Sequence, residues 1–307
     1  MTKRTPTNIS ASVHQLLLNR AHQTSRPFNE VLQYYAMERF LYRLSKSPYA
    51  EKFVPKGALM FAAWRLRDYR PTMDIDLLGK TKNQVNSIVA IMKEVCAQHV
   101  EPDGIAFDLA TIQGTRIAEQ ANYQGVRIRL RGNLGRARVT VQIDVGFGDV
   151  VIPAPQPVNY PTILDFPPPK LRGYSKESVV AEKFESMVKL GVLTSRMKYF
   201  FDVWTLVRQF DFEGETISTA IQRTFSNRET GIVVEPVALT PQFSGDSAKK
   251  AQWRGFIRKS RFEVVEGLPE VVDALSSFLK PIVAALSLGR PFQGKWTFPG
   301  PWINPGK

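Results

Sequence analysis

The chain has 307 residues, 43% of them hydrophobic, enough for a sizeable core in two domains or one large one. Lys and Arg number 41 against 28 Asp and Glu, a net charge of +13 that points to polyanionic partners: nucleic acid, nucleotides or an acidic protein. One cysteine, Cys96, and three histidines, His14, His22 and His99, leave no material for an intrachain disulfide or a Cys- or His-rich zinc centre, so a metal would be held by carboxylates.

Residues 10–46 read as helical, in two pieces. Asn8 or Ser10 caps the first, with Val13, Leu16 and Leu17 at helical spacing. The second follows Pro27, with Phe28, Val31, Leu32, Tyr35, Phe40, Leu41 and Leu44 as its apolar stripe. A helix is expected over 56–66, a short strand over Met73–Leu78, and an amphipathic helix over 82–99 with Val85, Ile88, Val89, Met92, Val95 and Cys96 on one face. The period then changes to two, giving strands at 105–112, 125–131 and 138–145, the last two joined by a turn at 132–135. Seven prolines between Pro153 and Pro169 read as an extended connector and a domain boundary. Beyond it the chain is mainly helical, over 176–190, 195–209, 215–224 and 269–287, and Pro281 is expected to kink or split the last of these. Residues 227–250 read as polar and irregular, and the Gly-, Pro- and Trp-rich end as an ordered or docking tail. The organisation is thus mixed α+β: N-terminal helices and sheet over 1–152, a connector over 153–174 and a helical region over 175–307. No apolar run approaches the ~18 residues of a bilayer span, and the basic start lacks the apolar stretch of a signal peptide, so a cytoplasmic location is expected.

The sharpest local feature is Met73-Asp-Ile-Asp-Leu77. On a strand, Asp74 and Asp76 share one face while Ile75 and Leu77 enter the core. Alone, such a pair is a weak signal and is more often a solvated strand edge. Asp144 adds to it, ending a strand whose polar face is Arg136, Arg138, Thr140, Gln142 and Asp144 and whose other face is Ala137, Val139, Val141 and Ile143. The preceding strand alternates Arg127, Arg129 and Arg131 with Val126, Ile128 and Leu130. Six arginines and one acidic residue, Glu119, lie between 116 and 138, a more cationic face than a half-solvated antiparallel sheet requires. Three carboxylates beside an arginine-rich groove suit nucleotidyl or phosphoryl transfer with Mg²⁺ or Mn²⁺, and Arg127, Arg129, Arg131 and Arg138 are candidate RNA contacts. Ahead of the acidic pair, Lys56, Gly57 and Ala58 form a small-residue turn able to approach a phosphate, and Arg70 and Thr72 directly precede the pair.

These segments resemble a known family. Leu32-Gln-Tyr-Tyr-Ala-Met-Glu-Arg-Phe-Leu-Tyr-Arg-Leu-Ser, Phe53-Val-Pro-Lys-Gly-Ala-Leu, Arg70-Pro-Thr-Met-Asp-Ile-Asp-Leu, Ala181-Glu-Lys-Phe and Arg196-Met-Lys-Tyr-Phe-Phe-Asp-Val-Trp are similar to motifs of the AbiEii/AbiGii toxins, over most of 28–260. These are nucleotidyltransferase-like proteins of the DNA polymerase β superfamily. The resemblance implies a nucleotidyltransferase sheet flanked by helices, with a helical C-terminal region. It implies that Gly57 and Ala58 hold the triphosphate, Asp74 and Asp76 a metal, Lys183 the nucleotide, and that Asp202 matches the final acidic motif. It further implies a phage-defence toxin neutralised by a separate antitoxin with a winged-helix DNA-binding domain; some related toxins add nucleotides to the 3′ end of tRNA. Family turns often read Gly-Gly or Gly-Ser, whereas Ala58 here lacks a hydroxyl but keeps the backbone donors.

Helix geometry bears on two of these residues. At ~100° per residue, Lys183 falls inside the arc of Val179, Val180, Phe184, Met187 and Val188, where an anionic partner or a ligand is expected, the alternative being a lysine that snorkels along the apolar edge. Lys189, on the opposite side, reads as a surface pair with Glu185. Asp202 lies off the stripe of Met197, Phe200, Trp204 and Val207, so that an i,i+4 pair with Lys198 and a site role both stand. The leading expectation is a metal-dependent nucleotidyltransferase toxin moving a nucleoside monophosphate from an NTP to RNA. In it Asp74, Asp76 and Asp144 hold metal, Asp144 doubles as a candidate general base, and Arg70 and Lys183 take the triphosphate. A non-catalytic nucleotide- or RNA-binding module and an antibiotic-modifying nucleotidyltransferase remain alternatives, although a +13 chain is poorly suited to a cationic drug.

Overall fold

The computed structural model of the chain describes residues 8–67, 69–120, 123–260 and 266–303. The chain divides into two units, one of residues 1–65, 72–148 and 156–173, the other of 66–71, 149–155 and 174–307.

The first unit is built on a five-stranded mixed sheet. Its elements are α1 (Ile9–Gln23), α2 (Phe28–Lys46), β1 (Phe53–Lys56), α3 (Leu59–Ala63), β2 (Asp74–Gly79), α4 (Val85–Cys96), β3 (Ile105–Gln120), β4 (Tyr123–Leu134) and β5 (Ala137–Phe147), then a hairpin of β6 (Gln156–Asn159) and β7 (Lys170–Gly173). The strand order is β1-β2-β5-β4-β3, with β2 and β5 parallel and the other neighbours antiparallel. The period-two pattern sets which face meets the core: Ile75, Leu77, Ile128, Leu130, Val141 and Ile143 are buried with Ile88 and Met92 of α4 and the apolar residues of α2.

Helix α2 departs from the expected amphipathic pattern, because it is buried on nearly all sides from Val31 to Leu44. Its charged residues survive burial by pairing. Arg43 donates to both oxygens of Asp103 (2.7 and 3.1 Å), and Arg39 meets Glu38 at 2.6 Å. The proline-rich stretch is also more than a connector. The backbone N–H of Ile163 donates to Glu38 (2.7 Å), Arg39 donates to the carbonyl of Pro167 (3.0 Å), and Tyr160, Ile163, Leu164 and Phe166 pack on the core. The helix expected over 56–66 is confined to α3.

The second unit contains α5 (Lys176–Leu190), α6 (Met197–Val207), β8 (Phe212–Glu213), α7 (Gly214–Asn227), α8 (Pro241–Gly245), α9 (Ser247–Ser260), α10 (Leu268–Ser287), β9 (Lys295–Trp296) and β10 (Trp302–Ile303). Thus 227–250 is not wholly irregular, and α9 is a helix the apolar pattern did not reveal. Pro281 sits inside α10 without splitting it. Its missing N–H and ring clash cost about 3 kcal/mol, which the burial of Leu275, Phe278, Leu279, Ile282 and Val283 around it offsets. The described part of the tail, to Ile303, packs on this unit. Trp296 is buried and donates to the carbonyl of Val207 (2.7 Å), and Trp302 stacks on Phe278 and donates to that residue's carbonyl (2.9 Å). Among the described residues no helix is long and apolar enough to cross a membrane.

Candidate active site

The site in the first unit follows from strand register. In the parallel pair β2–β5, Asp74 is aligned with Gln142 and Asp76 with Asp144. The strands on either side extend that row, since β1 sets Lys56 opposite Asp76 and β4 sets Arg127 opposite Asp144. Register partners share a face. One row across four strands therefore reads Lys56, Asp76, Asp144, Arg127, with the anions central and the cations outside. One ligand oxygen from each of Asp74, Asp76 and Asp144 can be chosen so that all lie within 4.8 Å of one another.

Each carboxylate has a local holder. The Thr72 hydroxyl donates to Asp74 Oδ1 (2.7 Å). Arg127 is bidentate on Asp144, with Nε to Oδ1 at 2.8 Å and the terminal nitrogen to Oδ2 at 2.7 Å. Asp76 packs against Gly57, which has φ +65°; a Cβ there would lie 2.4 Å from Asp76 Oδ2. Glycine is thus required at position 57 both for its backbone and for the approach of the carboxylate. The Gly57–Ala58 turn and the acidic pair, read separately in the sequence, are one packed feature.

The arginines expected to contact RNA divide. Arg129, Arg131 and Arg138 are exposed on the polar face, Arg129 bonding Gln142 (3.3 Å), whereas Arg127 is committed to Asp144. The role that sequence reasoning missed is this one. Its signal was present, because pairing counted outward from Leu134 and Ala137 brings 127 opposite 144.

In the second unit, Arg70, Lys183 and Asp202 form one cluster. Arg70 grips Asp202 with two bonds (2.8 and 3.0 Å), and Lys183 Nζ lies 2.7 Å from Asp202 Oδ2 and 4.6 Å from the centre of the Tyr199 ring. Asp202 is fully buried although it lies off the core-facing stripe, and of the two readings left open for it, the pair with Lys198 gives way to Arg70 and Lys183. Its partners are distant in sequence, which helix spacing alone cannot show. Burial alone would raise its carboxyl, but Arg70 and Lys183 outweigh that and hold it below the usual carboxylate range. The anionic partner expected for Lys183 is present. Glu185 does not serve Lys189: it is buried and takes Arg228 (3.0 Å) and the Thr230 hydroxyl (2.7 Å).

A mixed sheet whose central parallel strands present three convergent carboxylates suits an enzyme of the phosphoryl- or nucleotidyl-transferring kind. Residues 39–277 match the family described as nucleotidyl transferase AbiEii toxin, type IV TA system, and the chain belongs to that family. It is a nucleotidyltransferase toxin of a toxin–antitoxin system, which implies an NTP substrate and an antitoxin partner. Among solved structures it is similar to MenT4, a nucleotidyltransferase toxin from Mycobacterium tuberculosis, at 14% identity and a TM-score of 0.50, over 92% of this chain and 99% of that one, which shows a shared fold. It also matches JHP933 from Helicobacter pylori, at 12% identity and a TM-score of 0.45, over 82% and 92% of the two chains. No curated protein sequence matches the chain.

Proposed function

We propose that this toxin is a metal-dependent enzyme that transfers a nucleoside monophosphate from an NTP to an RNA hydroxyl, with the 3′ end of tRNA as acceptor, and that a winged-helix antitoxin neutralises it. The observation that carries the reading is the β2–β5 register, which aligns Asp76 with Asp144 and leaves Asp74 on the same face. The all-oxygen donor set of Asp74, Asp76 and Asp144 suits a hard cation such as Mg²⁺ or Mn²⁺. A divalent cation bound there supplies positive charge to the phosphates and lowers the cost of the charge that develops on them.

The chain's own residues account for the rest of the reading. Thr72 and Arg127 orient Asp74 and Asp144, and Gly57 leaves room for Asp76. The acceptor oxygen bonds to the α-phosphorus as the bond to pyrophosphate breaks in line, and its proton passes to a carboxylate of the triad. Asp144, both of whose oxygens accept from Arg127, is better suited to a held ligand than to that proton. Lys56, Gly57 and Ala58 are assigned to the triphosphate. Lys183 is assigned to the nucleotide, with Arg70 and Asp202 as the groups that fix its position. The exposed Arg129, Arg131 and Arg138 are assigned to RNA phosphates.

The test incubates the purified chain with Mg²⁺, each labelled NTP in turn and total RNA. Label on tRNA-sized RNA, lost in Asp74→Ala, supports the reading. Nucleotide binding without transfer to any acceptor refutes it in favour of a binding module, and label on a small molecule refutes the RNA acceptor.

A further inference from the structure

Helix α9 carries a face that the site does not use. Its inner side is anchored by buried Trp253, whose indole N–H donates to the carbonyl of Glu266 (3.0 Å), and by Phe256 against Phe201 (5.7 Å between ring centres). At 3.6 residues per turn, Lys250, Arg254 and Arg258 fall within roughly 80° of one another and span about 12 Å along the axis. Arg254, Arg258 and the neighbouring Lys259 are exposed, and Lys250 is half-buried. Among the described residues these four make no ion pair, hydrogen bond or ring contact through their side chains, whereas adjacent Lys249 is engaged with the Thr194 carbonyl (2.8 Å) and the Phe243 ring. The helix contains no acidic residue. Among the described residues, the carboxylates flanking it are engaged, Asp246 in accepting the Lys249 backbone N–H (2.9 Å) and Glu266 in pairing with Arg208.

We propose that this stripe binds the phosphate backbone of RNA, as a nucleic-acid surface additional to the sheet arginines. The inference deepens the proposed function, since it takes RNA as the partner, but it is read by binding and not by transfer. Three features select RNA. Three unneutralised cations one turn apart follow a line of phosphates, which requires charge and reach but no apolar anchor. An acidic protein would require an apolar or aromatic centre to its interface, and the exposed residues beside the stripe are Ser247, Ala248, Ala251 and Gln252. A membrane surface would require large apolar side chains on the same face, and none is exposed on α9. Gly255 adds space for close approach, since a Cβ there would meet nothing within 4 Å.

The experiment measures the affinity of the full chain for a fluorescent RNA hairpin with a single-stranded 3′ tail, over a salt series. Lys250→Ala/Arg254→Ala/Arg258→Ala is compared with Lys80→Ala/Lys82→Ala/Lys93→Ala, which removes equal charge from exposed positions of the first unit. Circular dichroism verifies that both are folded. The stripe variant should bind at least ~10-fold more weakly and lose about 2 from the slope of log affinity against log salt, at ~0.7 per lost phosphate contact, while the control changes neither comparably. Equal effects of the two variants, or no effect of the first, overturn the assignment. So does a stripe variant that keeps its RNA affinity but loses binding to poly-glutamate, which would give the face to an acidic protein. Failure of the wild type to bind RNA overturns this inference together with the RNA acceptor. Wild-type transfer to RNA with an unaffected stripe variant overturns this inference alone.

Discussion

Gly57→Ala tests whether the turn positions the acidic pair. Two costs follow. An L-residue at φ +65° incurs about 1–2 kcal/mol of backbone strain. The new Cβ would also lie 2.4 Å from Asp76 Oδ2, and ordinary contact begins at 3.4 Å, so the oxygen must retreat by about 1 Å. A carboxylate can turn, so this second cost is modest in stability, about 0.5–1.5 kcal/mol for a displaced rotamer. It is large in position, because a 1 Å misplacement of a reacting group costs on the order of 100-fold in rate. Gly135→Ala separates the two, since Gly135 has φ +59° and its nearest neighbour to a Cβ is 3.8 Å away. Urea denaturation should therefore place the two variants within about 1.5 kcal/mol of each other, while single-turnover transfer should fall ~100-fold for Gly57→Ala and little for Gly135→Ala. Transfer by Gly57→Ala within about threefold of Gly135→Ala would refute the positioning role, because a 1 Å shift predicts a far larger separation.

Asp202→Asn should cost about 3–5 kcal/mol in chemical denaturation, since it leaves Arg70 and Lys183 buried without their counter-ion; a cost below ~1 kcal/mol would mean that the cluster is solvated. The depressed Asp202 carboxyl also contributes stability present above its unfolded value of 3.8 and lost as pH falls through its lower folded value, an acid-side slope that the Asn variant should lack. Glu38 has the opposite sign, because burial pushes its carboxyl from 4.5 up to about 7 despite Arg39. Its folded form binds the extra proton, so stability should decline between pH 4.5 and 7, by at most ~3 kcal/mol, and Glu38→Gln should flatten that decline in melts at pH 5 and 8. Arg127→Gln should lower the melting temperature without divalent cation and enlarge the rise on adding Mg²⁺, because Asp144 loses its bidentate partner; an unchanged Mg²⁺ shift would sink that account.

What the sequence disclosed depended on how local the causes were. Strand alternation is a property of neighbouring residues, so the core faces of 126–131 and 138–144 and the shared face of Asp74 and Asp76 were legible without a partner in view. The pairing of Arg127 with Asp144 needed register as well, and a basic face was read as free where one of its members was committed. Arg39, Arg43 and Asp202 are buried charges whose partners come from distant chain, Pro167, Asp103, and the pair Arg70 and Lys183, which a helical wheel cannot show. Helix α9 escaped because Trp253, Phe256 and Ile257 are too few for a periodic signal among so many charges.

The net charge of +13 can now be divided by what each cation faces. Arg39, Arg43, Arg70, Lys183 and Arg228 are buried or nearly so against carboxylates, so their charge is spent on stability and position and is not available to a partner. Arg127 and Lys56 flank the acidic pair in one row, which brings the row Lys56, Asp76, Asp144, Arg127 to formal neutrality. A divalent cation held by the central carboxylates would turn that row net positive, and the phosphates of an NTP would then meet a matching charge. Metal and nucleotide binding at this sheet should therefore reinforce each other. Among the described residues, the exposed cations outside these pairings include Arg131 and Arg138 on the sheet and Arg254, Arg258 and Lys259 on α9, whose charge stays available to a long polyanion. It is this division, and not the total, that decides which surfaces keep charge for a polyanionic partner.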